Sequence, residues 1–276
     1  MGQYWRVVNL DKFQSYFLWK LGESIYGGRE CFDRLLPIHP FLCKNCLAQV
    51  MYNPAALNFP VEIGCSEIYR RITALAADYS WAGDRIVCVG DYLCNEDIPE
   101  AVLSAEEKKD LLLDEDNERT LYGCPFHEMT KPLSESFLTL LSEQDDWSLY
   151  PDIRVFRQLC EDSPMLLNPL PAPRVLRNLT RQQYVRESAI FALHDKYRGT
   201  MDEMEGVELS EVLLFWICLS SDPSTSMAYG GDIHRGVWAG DRFDVVSADW
   251  LETASGWTDA SDEALKEVEA IWVAEY

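Results

Sequence analysis

The sequence predicts an α+β protein of two tandem pseudo-equivalent modules, each a short antiparallel sheet with helices, joined by a helical bridge. Three observations predict it. The pentapeptide Trp-Ala-Gly-Asp-Arg occurs twice, at residues 81–85 and 238–242. The segments flanking the two copies agree in kind and in order. Finally, 276 residues of which 47% are apolar can bury a sizeable core as one body.

Taken in order, the first module covers residues 1–115. Val7-Val8-Asn9-Leu10-Asp11-Lys12 predicts a strand running into a turn, and Val175 to Arg181 matches it in the second module, residues 172–276. Ser66-Glu67-Ile68 opens a helical apolar pattern through Ile72 and Leu75. Ser210-Glu211-Val212 opens its counterpart, the apolar run Val212 to Leu219. Each serine is placed to cap a helix with an acid in its first turn. The second run predicts a buried helix, far shorter than the roughly 20 residues a bilayer span needs.

At the repeated pentapeptide, Gly83 and Gly240 can take positive φ and turn the chain, Asp84 and Asp241 can fix the turn on their own backbone, and Trp81 and Trp238 anchor it in the core. Ile86 to Leu93 and Phe243 to Leu251 then predict strands. Ser104-Ala105-Glu106-Glu107, a capping box, and Ser261-Asp262-Glu263 each start an acidic helix. Between the modules, residues 116–171 carry helical spacing at 133–144 and 147–161 and end in the Pro-rich stretch 168–173, which extends the chain into the second module. The second copy also carries an insertion, residues 223–235, rich in Ser, Gly and Asp.

The pattern Asn9-Leu10-Asp11-Lys12, Lys20-Leu21-Gly22-Glu23, Trp81 to Ile86 and Gly90-Asp91-Tyr92 resembles a large, functionally uncharacterised group of fungal proteins, some of which also carry an F-box. The likeness covers mainly the first 110 residues, with echoes at Asn178 to Arg181 and Ile233 to Asp244. It implies a fungal source and brings no activity with it.

The balance of 24 basic against 46 acidic residues gives a formal charge of −22. That argues against a nucleic-acid partner, which would need Lys and Arg on phosphates, and against an anionic membrane surface. The charge is concentrated: residues 91–120, 241–276 and 201–211 carry net −8, −8 and −5, and the other 199 residues are nearly neutral. Nine scattered cysteines, an odd number, and the lack of a signal-like start predict a reducing cytoplasmic or nuclear setting.

Candidate chemistry falls in three places. Arg85 and Arg242 would be paired cations at the seam between modules, suited to bidentate binding of a carboxylate or phosphate. In the loop Gly230 to Gly236, Asp232 could orient His234 while Arg235 holds an anion. Cys43-Lys44-Asn45-Cys46 and Cys124-Pro125-Phe126-His127 offer a Cys3His zinc set, Cys43, Cys46, Cys124 and His127, although some 77 residues separate the pairs. Unrelated thiols and a solvated loop histidine are the bland alternatives. No cofactor is expected unless zinc binds. The composition favours a non-catalytic binding or adaptor protein whose acidic faces meet a basic protein surface. The alternative is an enzyme with an inter-module site acting on a small anionic substrate.

Overall fold

A computed structural model describes residues 3–18, 81–112, 119–128, 173–197, 209–222 and 234–273. Its elements are β1 (Trp5–Asn9), β2 (Gln14–Leu18), β3 (Ile86–Gly90), α1 (Ala105–Leu112), β4 (His127–Glu128), β5 (Arg174–Asn178), β6 (Gln183–Arg186), α2 (Glu187–Tyr197), α3 (Leu209–Ile217), β7 (Cys218–Leu219), β8 (Phe243–Ser247), β9 (Thr258–Asp259) and α4 (Ser261–Val273). They form an α+β molecule with two sheets, ordered β4-β2-β1-β3-β7 and β8-β5-β6-β9. Among the described residues no helix is long and apolar enough to cross a membrane.

The central strand of each sheet, β1 or β5, lies antiparallel to the next strand in sequence, β2 or β6, and on its other side antiparallel to β3 or β8. Each hairpin turn is built on an asparagine. Asn9 Oδ1 accepts the N–H groups of Asp11 and Lys12 at 3.0 and 2.9 Å, and Asn178 Oδ1 accepts those of Thr180 and Arg181 at 3.1 and 3.0 Å. The turns close through Phe13 and Gln182 at φ 52° and 54°. A two-residue strand then adds parallel to the outer hairpin strand in both sheets, β4 on β2 and β9 on β6.

The repeated pentapeptide forms a tight corner in both places. Gly83 and Gly240 sit at φ 86° and 78°. Trp81 and Trp238 are buried, and their indole N–H groups donate to Gln14 and Gln183 of the hairpins. Asp84 and Asp241 do not fix the turn on their own backbone, as the sequence suggested. Their carboxylates accept the side-chain N–H of Asn9 and Asn178, each 2.8 Å away, and pair with Lys12 and Arg181. The reason is economy of partners: each asparagine spends its oxygen on the turn, and its amide donor still needs an acceptor in a buried position.

The corners interlock. Gly83 N–H donates to the Phe243 carbonyl and Gly240 N–H to the Ile86 carbonyl, at 2.7 and 2.8 Å, and Arg85 faces Arg242 in an antiparallel bridge. Trp5, Ile86 and Phe243 are buried with the two corner tryptophans, and Trp216 meets Trp238 edge to face at 4.1 Å.

A second join corrects the sequence reading of Val212 to Leu219 as one helix. The helix α3 ends at Ile217, and Cys218–Leu219 straighten into β7, parallel to β3 of the other sheet with Cys88 opposite Cys218. An apolar run shows no change of period where it stops being helix, and ladder bonds to β3 decide the matter.

Local helix signals fare unequally. Ser104 and Glu107 form the reciprocal capping box, with Ser104 N–H donating to Glu107 and Glu107 N–H to the Ser104 hydroxyl. Ser210, which the sequence places as a cap, is instead the second residue of α3, whereas Ser261 starts α4 as its segment predicts. It is the first helical residue, and its hydroxyl accepts the Arg186 N–H while Asp259 Oδ1 receives the Ser261 N–H at 2.9 Å.

Candidate functional site

Arg85 and Arg242 come together, and the same carboxylate holds both. The Asn9 turn places Asp11 at the end of the first hairpin, where Oδ1 accepts Arg85 Nε at 2.9 Å and Oδ2 accepts Arg85 N–H at 3.1 Å and Arg242 Nη1 at 2.6 Å. Arg85 Nη2 also donates to Glu107 at 2.6 Å, and Arg242 Nη1 to the Gly83 carbonyl at 2.8 Å. In the second sheet Thr180 stands where Asp11 stands in the first, and its hydroxyl accepts the Arg242 N–H.

This makes a compensated cluster of two guanidiniums and two carboxylates. Burial alone would raise the Asp11 pKa, but the hydrogen bonds from Arg85, and then Arg242, outweigh it and hold the carboxyl below its ordinary value. The bond from Arg85, followed by the Ser104 N–H, pulls Glu107 down to about 2. Arg85 in turn is raised, chiefly by Glu107. Neither acid is suited to donate a proton near neutrality, and an anionic ligand bridging both guanidiniums would compete with Asp11, which already binds the two. The Arg242 side chain is 45% exposed and that of Arg85 24%, so solvent reaches the Arg242 side more readily.

His234 and Arg235 engage different partners. Arg235 bridges Leu219, and the His234 carbonyl accepts the Ser220 N–H at 3.0 Å. Arg235 Nη2 donates to Glu267 of α4 at 3.1 Å, and the other oxygen of Glu267 takes the Trp216 indole N–H at 2.6 Å. His234 Nδ1 is buried without a hydrogen bond. Asp232 lies outside the described residues.

Of the zinc candidates, Cys43 and Cys46 lie outside the described residues. The Cys124 thiol is buried 3.3 Å from the Leu111 carbonyl and 3.5 Å from that of Thr120, and burial pushes its pKa up, so it is held as a protonated donor. His127 is exposed on β4. Among the described residues no three His, Cys, Asp or Glu side chains are grouped to hold a metal.

Sequence reasoning missed a cationic and aromatic group on the second sheet. Arg177 of β5 pairs with Asp244 of β8, Nε to Oδ1 at 2.7 Å, and its guanidinium lies over Trp250 at 4.8 Å and Trp257 at 5.6 Å. Tyr184 of β6 meets Trp250 edge to face at 5.6 Å, and Trp250 meets Trp257 likewise at 4.9 Å. The signal was present as a lone arginine inside Arg174-Val175-Leu176-Arg177-Asn178 and as two tryptophans close together in an acidic segment.

Comparison with known proteins finds no matching family model, no matching curated protein and no matching solved structure.

Proposed function

We propose that the chain is two copies of one module docked corner to corner, and that it serves as a non-catalytic binding or adaptor protein of the cytosol or nucleus for a partner with a basic surface. The duplication is supported by matched bonds at matched places: asparagine to corner aspartate, corner tryptophan to hairpin glutamine, and reciprocal glycine-to-carbonyl bonds. The functional reading is carried by one observation. The seam arginines, which the enzyme alternative needs for a substrate anion, are already neutralised by Asp11 and Glu107. Acids face outward instead, among them exposed Asp249, Glu252, Asp262 and Glu263 in the acidic C-terminal part.

The test is calorimetric titration of the purified protein with basic, neutral and acidic peptides of equal length at 50 and 300 mM salt. Association confined to the basic peptide and weakened by salt supports the reading. Equal association with all three, or none at all, overturns it.

A further inference from the structure

The two sheets are closed differently on the face that carries Val8 in one and Arg177 in the other. These residues each precede the turn asparagine by one position. In the first sheet the cross-strand row is Val87, Val8, Ser15, and residues 91–112 and 119–126 lie over it, packing Leu93, Val102, Leu103, Leu121 and Phe126 on Val8 and Val87. In the second the row is Asp244, Arg177, Tyr184, and only residues 248–257 separate β8 from β9. Tyr184, Trp250 and Trp257 are left half-buried.

Trp81, Trp238 and Trp216 all spend their indole N–H on a side chain, whereas Trp250 and Trp257 form no such bond among the described residues. Each of those two presents an aromatic surface and an uncommitted donor, a combination typical of interface tryptophans. The lie of Arg177 across both rings shows that their faces accept a guanidinium. The cations of this face are committed, Arg177 to Asp244 and Arg186 to Asp259. The exposed acids Asp249 and Glu252, on the same short segment as the tryptophans, form no ion pair among the described residues. A second copy of a chain with charge −22 would be repelled here, and a cationic segment attracted.

We propose that Trp250 and Trp257, bordered by Tyr184, Asp249 and Glu252, form the docking site for an arginine-bearing segment of a partner protein. The assignment rests on the binding reading above and gives it a location and a side-chain chemistry. Arginine side chains stack on the outer indole surfaces while Asp249 and Glu252 hold their charge.

The experiment uses the full chain and a fluorescein-labelled nine-residue Arg-Ser repeat peptide, with a citrulline-Ser peptide as the uncharged isostere, followed by anisotropy. The expected result is binding of the arginine peptide alone, with Trp250→Ala and the double reversal Asp249→Lys/Glu252→Lys each weakening it by about tenfold. The reversal Glu106→Lys/Asp110→Lys, on exposed sites of α1, should leave it within about twofold. The Asp249/Glu252 variant changes only exposed residues, so a folding defect in Trp250→Ala leaves the test intact. If both double reversals weaken binding equally, the site is overturned while the acidic binding reading stands. No binding by the wild type overturns both. A dimer in sedimentation that Trp250→Ala dissolves would assign the face to a second copy and overturn the proposal.

Discussion

The first sheet covers its Val87–Val8–Ser15 row with residues 91–112 and 119–126, which supply a hydrophobic cluster, and among the described residues the second meets the Asp244–Arg177–Tyr184 row with the short connection 248–257. Strand order, turn chemistry and corner are matched across the two sheets, so the backbone does not dictate the difference. The length of the returning connection does. Where a long segment can exclude water, the row is apolar. Where it cannot, the row seals itself by pairing a guanidinium with a carboxylate and laying indoles over it, an arrangement that tolerates solvent.

The comparison can be broken most sharply at the corners. Gly83 and Gly240 share positive φ, but a Cβ at Gly83 meets nothing within 4 Å, whereas one at Gly240 lies 2.7 Å from Val102 Cα in the covering segment. Gly83→Ala should cost about 1–2 kcal/mol from left-handed strain, and Gly240→Ala about 2–5 kcal/mol because overpacking is added. Denaturant unfolding of both variants checks this, and equal losses would mean the corners are packed alike.

Next in size, Asn9→Ala and Asn178→Ala should each cost about 2–3 kcal/mol, since each strands two turn N–H groups and leaves the corner carboxylate to Lys12 or Arg181 alone. Thermal melts that separate the two by more than about 1 kcal/mol would break the equivalence of the turns.

A smaller effect comes from Glu107, which the second sheet does not duplicate at Arg242. Its folded pKa lies near 2, below the ordinary 4.5, so its contribution is complete above about 4.5 and is lost as pH falls toward 2. Glu107→Gln should therefore lower the urea midpoint at pH 7 and converge with the wild type near pH 2, by at most about 1 kcal/mol given its partial exposure. A difference that persists unchanged at pH 2 would show that the carboxylate's charge is not what matters.

The smallest change would make the turns more alike. Thr180→Asp puts a carboxylate beside the Arg242 N–H, as Asp11 lies beside that of Arg85, and should stabilise by about 0.5 kcal/mol, with the gain shrinking in high salt. Titration of unfolding free energy against sodium chloride measures it.

Features encoded within a few residues were legible before any coordinates: the positive-φ glycines, the buried tryptophans and the Ser104–Glu107 box each depend on neighbours in sequence. The hairpin strands β2 and β6 were not. The turns are legible, but they close through Phe13 and Gln182 rather than a glycine, so nothing announces that a second strand follows. β4 and β9, two residues each, are too short to show a period. At the seam the repeat foretold that two arginines correspond, but the carboxylate that binds them belongs to a turn 74 residues from one and 231 from the other. The sequence reads Trp250 as part of a strand reaching Leu251, but β8 ends at Ser247 and residues 248–253 form a 3-10 helix, and the arginine that organises Trp250 and Trp257 sits in β5, across the second sheet.

The strand β7 carries a consequence for synthesis. Among the described residues the outer edge of β3 is paired by Cys218 and Leu219, and the Gly83 N–H bonds the carbonyl of Phe243. During translation β3 therefore emerges more than a hundred residues before the strand that pairs with its outer edge, and unpaired strand is prone to wrong association. Folding governed by such distant closures is slow, and the N-terminal half expressed by itself would retain that open edge.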